Sequence, residues 1–157
     1  MSTSFENLKR HLFWIVARPC FAAYHWFPVF GTLRASIAII YRDGNFLMIE
    51  RNDGRGISLP GGISSRKEPA VQTLHREVFE ETGLTVIGER LKLTYFTGVD
   101  VPCDVSVFEV VTSGDLKTSW EGSPRWMTVK ELTPRLLESQ RPVVKLLVET
   151  IAGQSGA

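Results

Sequence analysis

The sequence predicts an α/β fold, and three observations carry that expectation. Residues 32–128 hold several β-rich runs bounded by turn signals. A single helical pattern interrupts them, opened by Pro69 and closed by Gly83. Residues 129–153 read as helical again, densely apolar in their second half. At 157 residues the chain fits one domain with a single core. Three parts are visible: an aromatic-rich helical extension over 1–30, the domain proper over 31–153, and a polar tail over 154–157.

The extension comes first. Phe5, Leu8, Leu12, Ile15 and Val16 share one helical face, with Glu6, Arg10 and Arg18 on the other. Pro19 ends that amphipathic helix, and Tyr24, Trp26, Phe27 and Phe30 follow. So many aromatics call for a covering surface. Three partners could supply it: the protein's own sheet, a second subunit in a homodimer, or an anionic membrane surface met by Lys9, Arg10 and Arg18.

Thr32–Tyr41 reads as a strand, Asp43-Gly44 as a hairpin turn, and Asn45–Glu50 as the returning strand. Asn52–Gly56 is a polar loop. Val71, Leu74 and Val78 form an apolar stripe that anchors the 69–83 helix to a sheet. Thr85–Thr97 is the next strand, bent or bulged near Gly88. Asp104–Thr112 follows, with alternation in Val105, Val107 and Val111, and then a short strand over Arg125–Val129. Leu132–Ser139 and Pro142–Ala152 close the domain as two helices.

Composition narrows the function classes. Hydrophobic residues make up 43% and charged residues 22%, as in ordinary globular proteins. Net charge is +1, so no overall field recruits a nucleic acid duplex. Cys20 and Cys103 stand far apart and read as reduced, buried thiols, with no zinc-ligand spacing near either. The most apolar stretch, residues 11–30, is interrupted by Arg18, Pro19, His25 and Pro28. It fits neither a membrane span nor a signal peptide. A cytoplasmic protein is expected, with peripheral membrane contact as the alternative.

The chemistry lies in residues 62–84. Glu77, Glu80 and Glu81 stand at i, i+3 and i+4 and fall within one arc of helix surface. Like charges at that spacing cost an isolated helix about 0.2–0.5 kcal/mol per pair. Packing does not require them, whereas a hard divalent cation takes paired carboxylate oxygens. Glu77 and Glu81, one turn apart, are best placed as direct metal ligands. Glu80 is then the candidate general base, or a ligand acting through water. Three carboxylates around one cation share protons as a unit, so these roles remain interchangeable.

The segment from Gly62 to Leu84 resembles the Nudix box, G-x5-E-x7-R-E-U-x-E-E-x-G-U with U aliphatic. Gly62, Glu68, Arg76, Glu77, Val78, Glu80, Glu81, Gly83 and Leu84 fill every fixed position, and Leu59-Pro60-Gly61 leads in as it does in that family. The resemblance implies an α/β/α sandwich with a mixed sheet. It also implies an Mg²⁺- or Mn²⁺-dependent pyrophosphohydrolase that cleaves a nucleoside diphosphate joined to another moiety by water attack. By the same resemblance Arg76 pairs with a box glutamate, Glu68, and holds the catalytic set in place. The Gly61 carbonyl is implied as a further metal ligand, and Gly62, Glu68 and Gly83 as structural positions of the box. Glu121, ahead of Arg125-Trp126, resembles an acidic residue outside the box that completes coordination or acts as base, with Asp100 and Glu109 as rivals.

Two departures bear on substrate. Ile57-Ser58 stands where many relatives carry an aromatic, and Lys67 where many carry glycine. Pro102 only loosely matches a proline marker of ADP-ribose pyrophosphatases. Tyr95, Phe96, Trp120 and Trp126 fit base stacking and core packing equally well. Two other functions stay open: a nucleotide-binding regulatory module with weak catalysis, and a membrane-peripheral enzyme acting on a lipid-linked diphosphate.

Overall fold

The computed structural model describes residues 31–119 and 122–154. The expected N-terminal helix, Cys20, Trp120, Glu121 and most of the polar tail lie outside the described residues.

Among the described residues, eight strands form two sheets. In the first, the order is β5 (Gly61–Ile63), β1 (Leu33–Ile39), β7 (Cys103–Ser113) and β6 (Thr85–Thr97). Strand β1 runs antiparallel to β5 and parallel to β7, so the sheet is mixed. In the second, β3 (Asn45–Arg51) pairs antiparallel with β2 (Tyr41–Arg42), β4 (Ile57–Ser58) and β8 (Gly122–Met127). The β2–β3 turn is the expected hairpin: Asp43 and Gly44 have φ of 49° and 82°, as a turn matched to strand twist requires.

The central strands explain the layering. Ile37 and Ile39 of β1 face one hydrophobic cluster, while Ala38 and Ile40 face another. Phe46 and Met48 against Leu47 divide β3 in the same way, and Val105 and Val107 against Phe108 and Val110 divide β7. Strands buried on both faces need helices on both sides. Helix α1 (Ala70–Thr82) covers the second cluster with Leu74 and Val78. Leu132, Val143 and Leu147 cover the first. They come from α2 (Val129–Leu132), a 3-10 turn over Glu138–Val143, and α3 (Val144–Gln154). The result is the expected α/β/α arrangement with a mixed sheet.

Several elements differ from the sequence reading. Val71 is exposed, and buried Thr73, Glu81 and Thr82 flank the Leu74–Val78 stripe instead. Val111 is exposed near the end of β7. Strand β8 begins at Gly122, and Val129 opens a helix behind the Thr128–Glu131 capping box. The expected helix over Leu132–Ser139 stops at Leu132. Beyond it the chain pairs with β4: Ile57 N–H donates to the Arg135 carbonyl at 3.1 Å, and Leu137 N–H donates to the Ile57 carbonyl at 3.0 Å. Strand β6 slips register near Gly88 as expected, and again between Leu91 and Leu93. Helix α3 runs on through Gly153 to Gln154. No helix among the described residues is long and apolar enough to cross a membrane.

Candidate active site

Helix α1 is held at both ends by the residues that punctuate it. Pro69 caps the start in extended conformation, where its missing N–H costs nothing. Gly83, at φ 75°, caps the end and donates its N–H to the Phe79 carbonyl at 2.9 Å. Ser36 of β1 fixes the helix start on the sheet through an Oγ bond to the Ala70 carbonyl at 2.8 Å.

The helix faces the glycine strand β5. Gly61 N–H donates to Glu81 Oε2 at 2.8 Å, and the Glu81 side chain is buried. A Cβ on Gly62 would stand 2.5 Å from the Glu77 carboxylate, so only glycine leaves room for it there. Glu77 and Glu81 thus set their carboxylates against one short stretch of backbone. Glu80 is more exposed, at 57% of its side chain, and accepts from Arg76 Nη1 at 3.2 Å.

Arg76 ties the cluster together. It grips Glu68 with two bonds, Nε to Oε1 at 3.0 Å and Nη2 to Oε2 at 2.9 Å. It also donates to Glu77 Oε1 at 2.7 Å. The expected Glu68 pairing and the plain i,i+4 contact with Glu80 therefore coexist, although an exposed pair like the latter contributes little. Glu68 Oε2 further accepts from the Ser65 N–H at 2.9 Å and Thr73 Oγ1 at 3.0 Å. Ser65 and Thr73 carried no sequence signal for this role. Lys67 adopts φ 65°, the left-handed region that glycine enters most easily.

The Arg76 bonds, followed by the Ser65 N–H, hold the Glu68 carboxyl at about 2, against an ordinary 4.5. Asp53 also sits at about 2 against 3.8: burial alone would raise it, but bonds from Arg51 and Arg55 outweigh that. Both contributions are complete above the ordinary values and are lost as pH falls through about 2. Melting temperature is therefore expected to drop from about pH 4.5 downward. Glu68→Gln should flatten part of that drop. A Glu68→Gln melting profile parallel to wild type would remove this assignment.

The donor chemistry fits a hard divalent cation. Glu77 and Glu81 offer shielded carboxylate oxygens on adjacent turns, beside a glycine backbone that brings no side chain of its own into the space. The fit does not extend to a ready three-carboxylate cage, since no group of three acidic, histidine or cysteine side chains converges among the described residues. Glu80 turns to Arg76 instead. Of the acidic rivals outside the box, Glu109 pairs with Lys92 at 3.0 Å and Asp100 with Arg55 at 3.4 Å.

A cleft of about 450 Å³ opens from Gly61 and Gly62. Ala35, Ile37 and Val105 give it an apolar lining, and Ser139 and Gln140 belong to its wall. Gln140 is oriented by the Leu59 N–H, which donates to its Oε1 at 2.8 Å. Tyr95 lines the same space and donates its hydroxyl to the Ser139 carbonyl at 2.9 Å. Phe96 is exposed, while Trp126 packs by the α1 cluster with Arg42 stacked 5.2 Å from its ring centre. Cys103 is a free, buried thiol on the cleft wall, pushed up to about 11 by burial. Sequence reasoning missed Gln140, Ser139 and Arg55, which carry no local motif.

Known proteins share this fold. The family model described as the NUDIX domain matches residues 31–147. A MutT-like protein of Streptomyces ambofaciens is 30% identical over 113 residues, which are 71% of this chain and 73% of that protein. The solution structure of the E. coli ORF135 protein superposes with a TM-score of 0.67 at 22% identity, covering 78% of this chain and 92% of that one. The MutT NUDIX hydrolase of Burkholderia pseudomallei superposes with a TM-score of 0.65 at 22% identity, covering 73% of this chain and 96% of its own. With the complete box running from the glycine strand β5 through helix α1 to Leu84, the chain belongs to the NUDIX family and is a Nudix hydrolase.

Proposed function

We propose that the protein hydrolyses the phosphoanhydride of a nucleoside diphosphate joined to another moiety, with Mg²⁺ or Mn²⁺. One observation carries this reading: shielded Glu77 and Glu81 carboxylates abut Gly61-Gly62 at the end of a cleft with an apolar lining. Members of this family generally use divalent metals. Glu77, Glu81 and the Gly61 carbonyl would hold the ion, with Glu80 as a further ligand or as the base. A bound divalent ion supplies neutralisation of phosphate oxygens and a more acidic attacking water.

The chain's own residues do the rest. Arg76 keeps Glu77 pointed at Gly62 and Glu68 locked to the loop that precedes the helix. Glu80, exposed and near the paired acids, takes the proton of the attacking water. Glu121 is its partner or substitute from outside the box. The cleft lining receives the nucleoside, and the fixed Gln140 amide offers its N–H₂ group to the base.

A screen of nucleoside triphosphates, dinucleotides and nucleotide sugars with Mg²⁺ or Mn²⁺ tests the reading, scoring phosphate, pyrophosphate and nucleotide products. Turnover of at least one substrate, abolished by excess EDTA and lowered in Glu121→Gln, is the expected outcome. Full activity in EDTA, or none on any substrate, would overturn it. Activity of Glu121→Gln equal to wild type would move the outside role to Asp100 or Glu109.

A further inference from the structure

The rim of the cleft carries an ion pair whose arginine the catalytic reading leaves unused. Arg55 comes from the β3–β4 loop and Asp100 from the β6–β7 turn, and both line the cleft that contains Gly61 and Gly62. Arg55 Nη1 reaches Asp100 Oδ1 at 3.4 Å, with side chains 36% and 51% exposed. A long, exposed pair of this kind is weak and easily exchanged.

The other side of Arg55 is held more firmly. Its Nε donates to Asp53 Oδ2 at 3.1 Å, and its backbone N–H to Asp53 Oδ1 at 3.0 Å. Asp53 is anchored in turn by Arg51, with a shortest contact of 2.6 Å. The guanidinium is therefore positioned from behind by a shielded carboxylate and presented forward to an exposed one. Exchange of the forward partner leaves the rear anchor in place.

Resting on the reading of this cleft as the nucleotide site, we propose that Asp100 is a resident competitor for Arg55. A phosphate group of the incoming nucleotide displaces the Asp100 carboxylate from the guanidinium as the cleft fills. Arg55 thereby becomes a specificity determinant that reads phosphate, and Asp100 sets the threshold for doing so. A phosphate offers a planar guanidinium more charge and more acceptor oxygens than one carboxylate oxygen at 3.4 Å. A neutral ligand gains nothing from Arg55 and leaves the pair closed.

The test is a double-mutant cycle on binding. Non-hydrolysable α,β-methylene diphosphates of adenosine, guanosine, cytidine and uridine are titrated with Mg²⁺ into wild type, Arg55→Gln, Asp100→Asn and the double variant. Melting curves confirm folding of each. Arg55→Gln is expected to weaken Kd about tenfold, the scale of a charge-assisted hydrogen bond. Asp100→Asn is expected to tighten it about threefold, the scale of an exposed pair, and to do nothing in the Arg55→Gln background. Weaker binding by Asp100→Asn, an equal effect with and without Arg55, or no binding of any of the four ligands would overturn the proposal. Hydrolysis of the ordinary diphosphates is read on the same preparations. Coupling without turnover removes the hydrolase reading and leaves the exchange; turnover without coupling removes the exchange alone.

Discussion

Glu77→Gln and Glu81→Gln are each expected to lower turnover by about a hundredfold or more, since the loss of about 3 kcal/mol of barrier lowering means two powers of ten. The expectation rests on their shielded positions. A glutamine keeps the shape and removes the charge that a divalent cation needs. The two variants should differ in one respect. At position 81 the new amide can turn its nitrogen toward the Gly61 N–H, two donors facing at the distance of a hydrogen bond, so some folding stability goes with the activity. Glu80→Gln, more exposed and already held by Arg76, should lose turnover with little change in metal affinity. Measurements of kcat against metal concentration, with melting curves as the folding control, separate these cases. Near-normal turnover in all three variants would end the metal reading.

Gly61→Ala is expected to destabilise the fold by about 3 kcal/mol or more, a size reserved for named mechanisms such as backbone strain and overpacking. Gly61 has φ 144°, and an added Cβ would run into the Ser36 carbonyl and come within 2.7 Å of Ile37 Cα. Both are backbone atoms of the central strand β1 and cannot swing aside. Gly54→Ala is the matched control: its φ is 77°, but an added Cβ meets nothing within 4 Å. Conformational strain alone should cost it about 1 kcal/mol. Urea unfolding of the two variants gives the comparison. Similar midpoints for both would show that β5 can move away from β1.

Local signals marked helix α1 well. Pro69, Gly83 and the spacing of the glutamates all lie within one short segment, and each states its own backbone requirement. The Asp43-Gly44 turn and the bulge near Gly88 were legible for the same reason. Val71 was misplaced because a periodic stripe marks a face but not where the sheet beneath it ends. The helix expected over Leu132–Ser139 failed because Pro134 has no N–H to extend the ladder, and because Leu136 bridges to Ile57 in β4. The cleft was illegible for a deeper reason. Its walls are drawn from β1, the β3–β4 loop, β5, β6, β7 and the 3-10 turn. No window of sequence contains more than a fragment of it.

Strands β1, β3 and β7 each send side chains into both hydrophobic clusters. Neither helical layer can leave without exposing one side of strands whose other side is still packed, so the domain should open as one cooperative unit. The packed face of α1 and the lining of the cleft inherit that cooperativity from opposite faces of the same sheet, and the α1 carboxylates meet the cleft at Gly61-Gly62. Ser36 and Ile37, adjacent on β1, touch the helix and the cleft respectively. The molecule therefore has little room for a partly melted form that keeps the Glu77 and Glu81 carboxylates in place and loses the cleft.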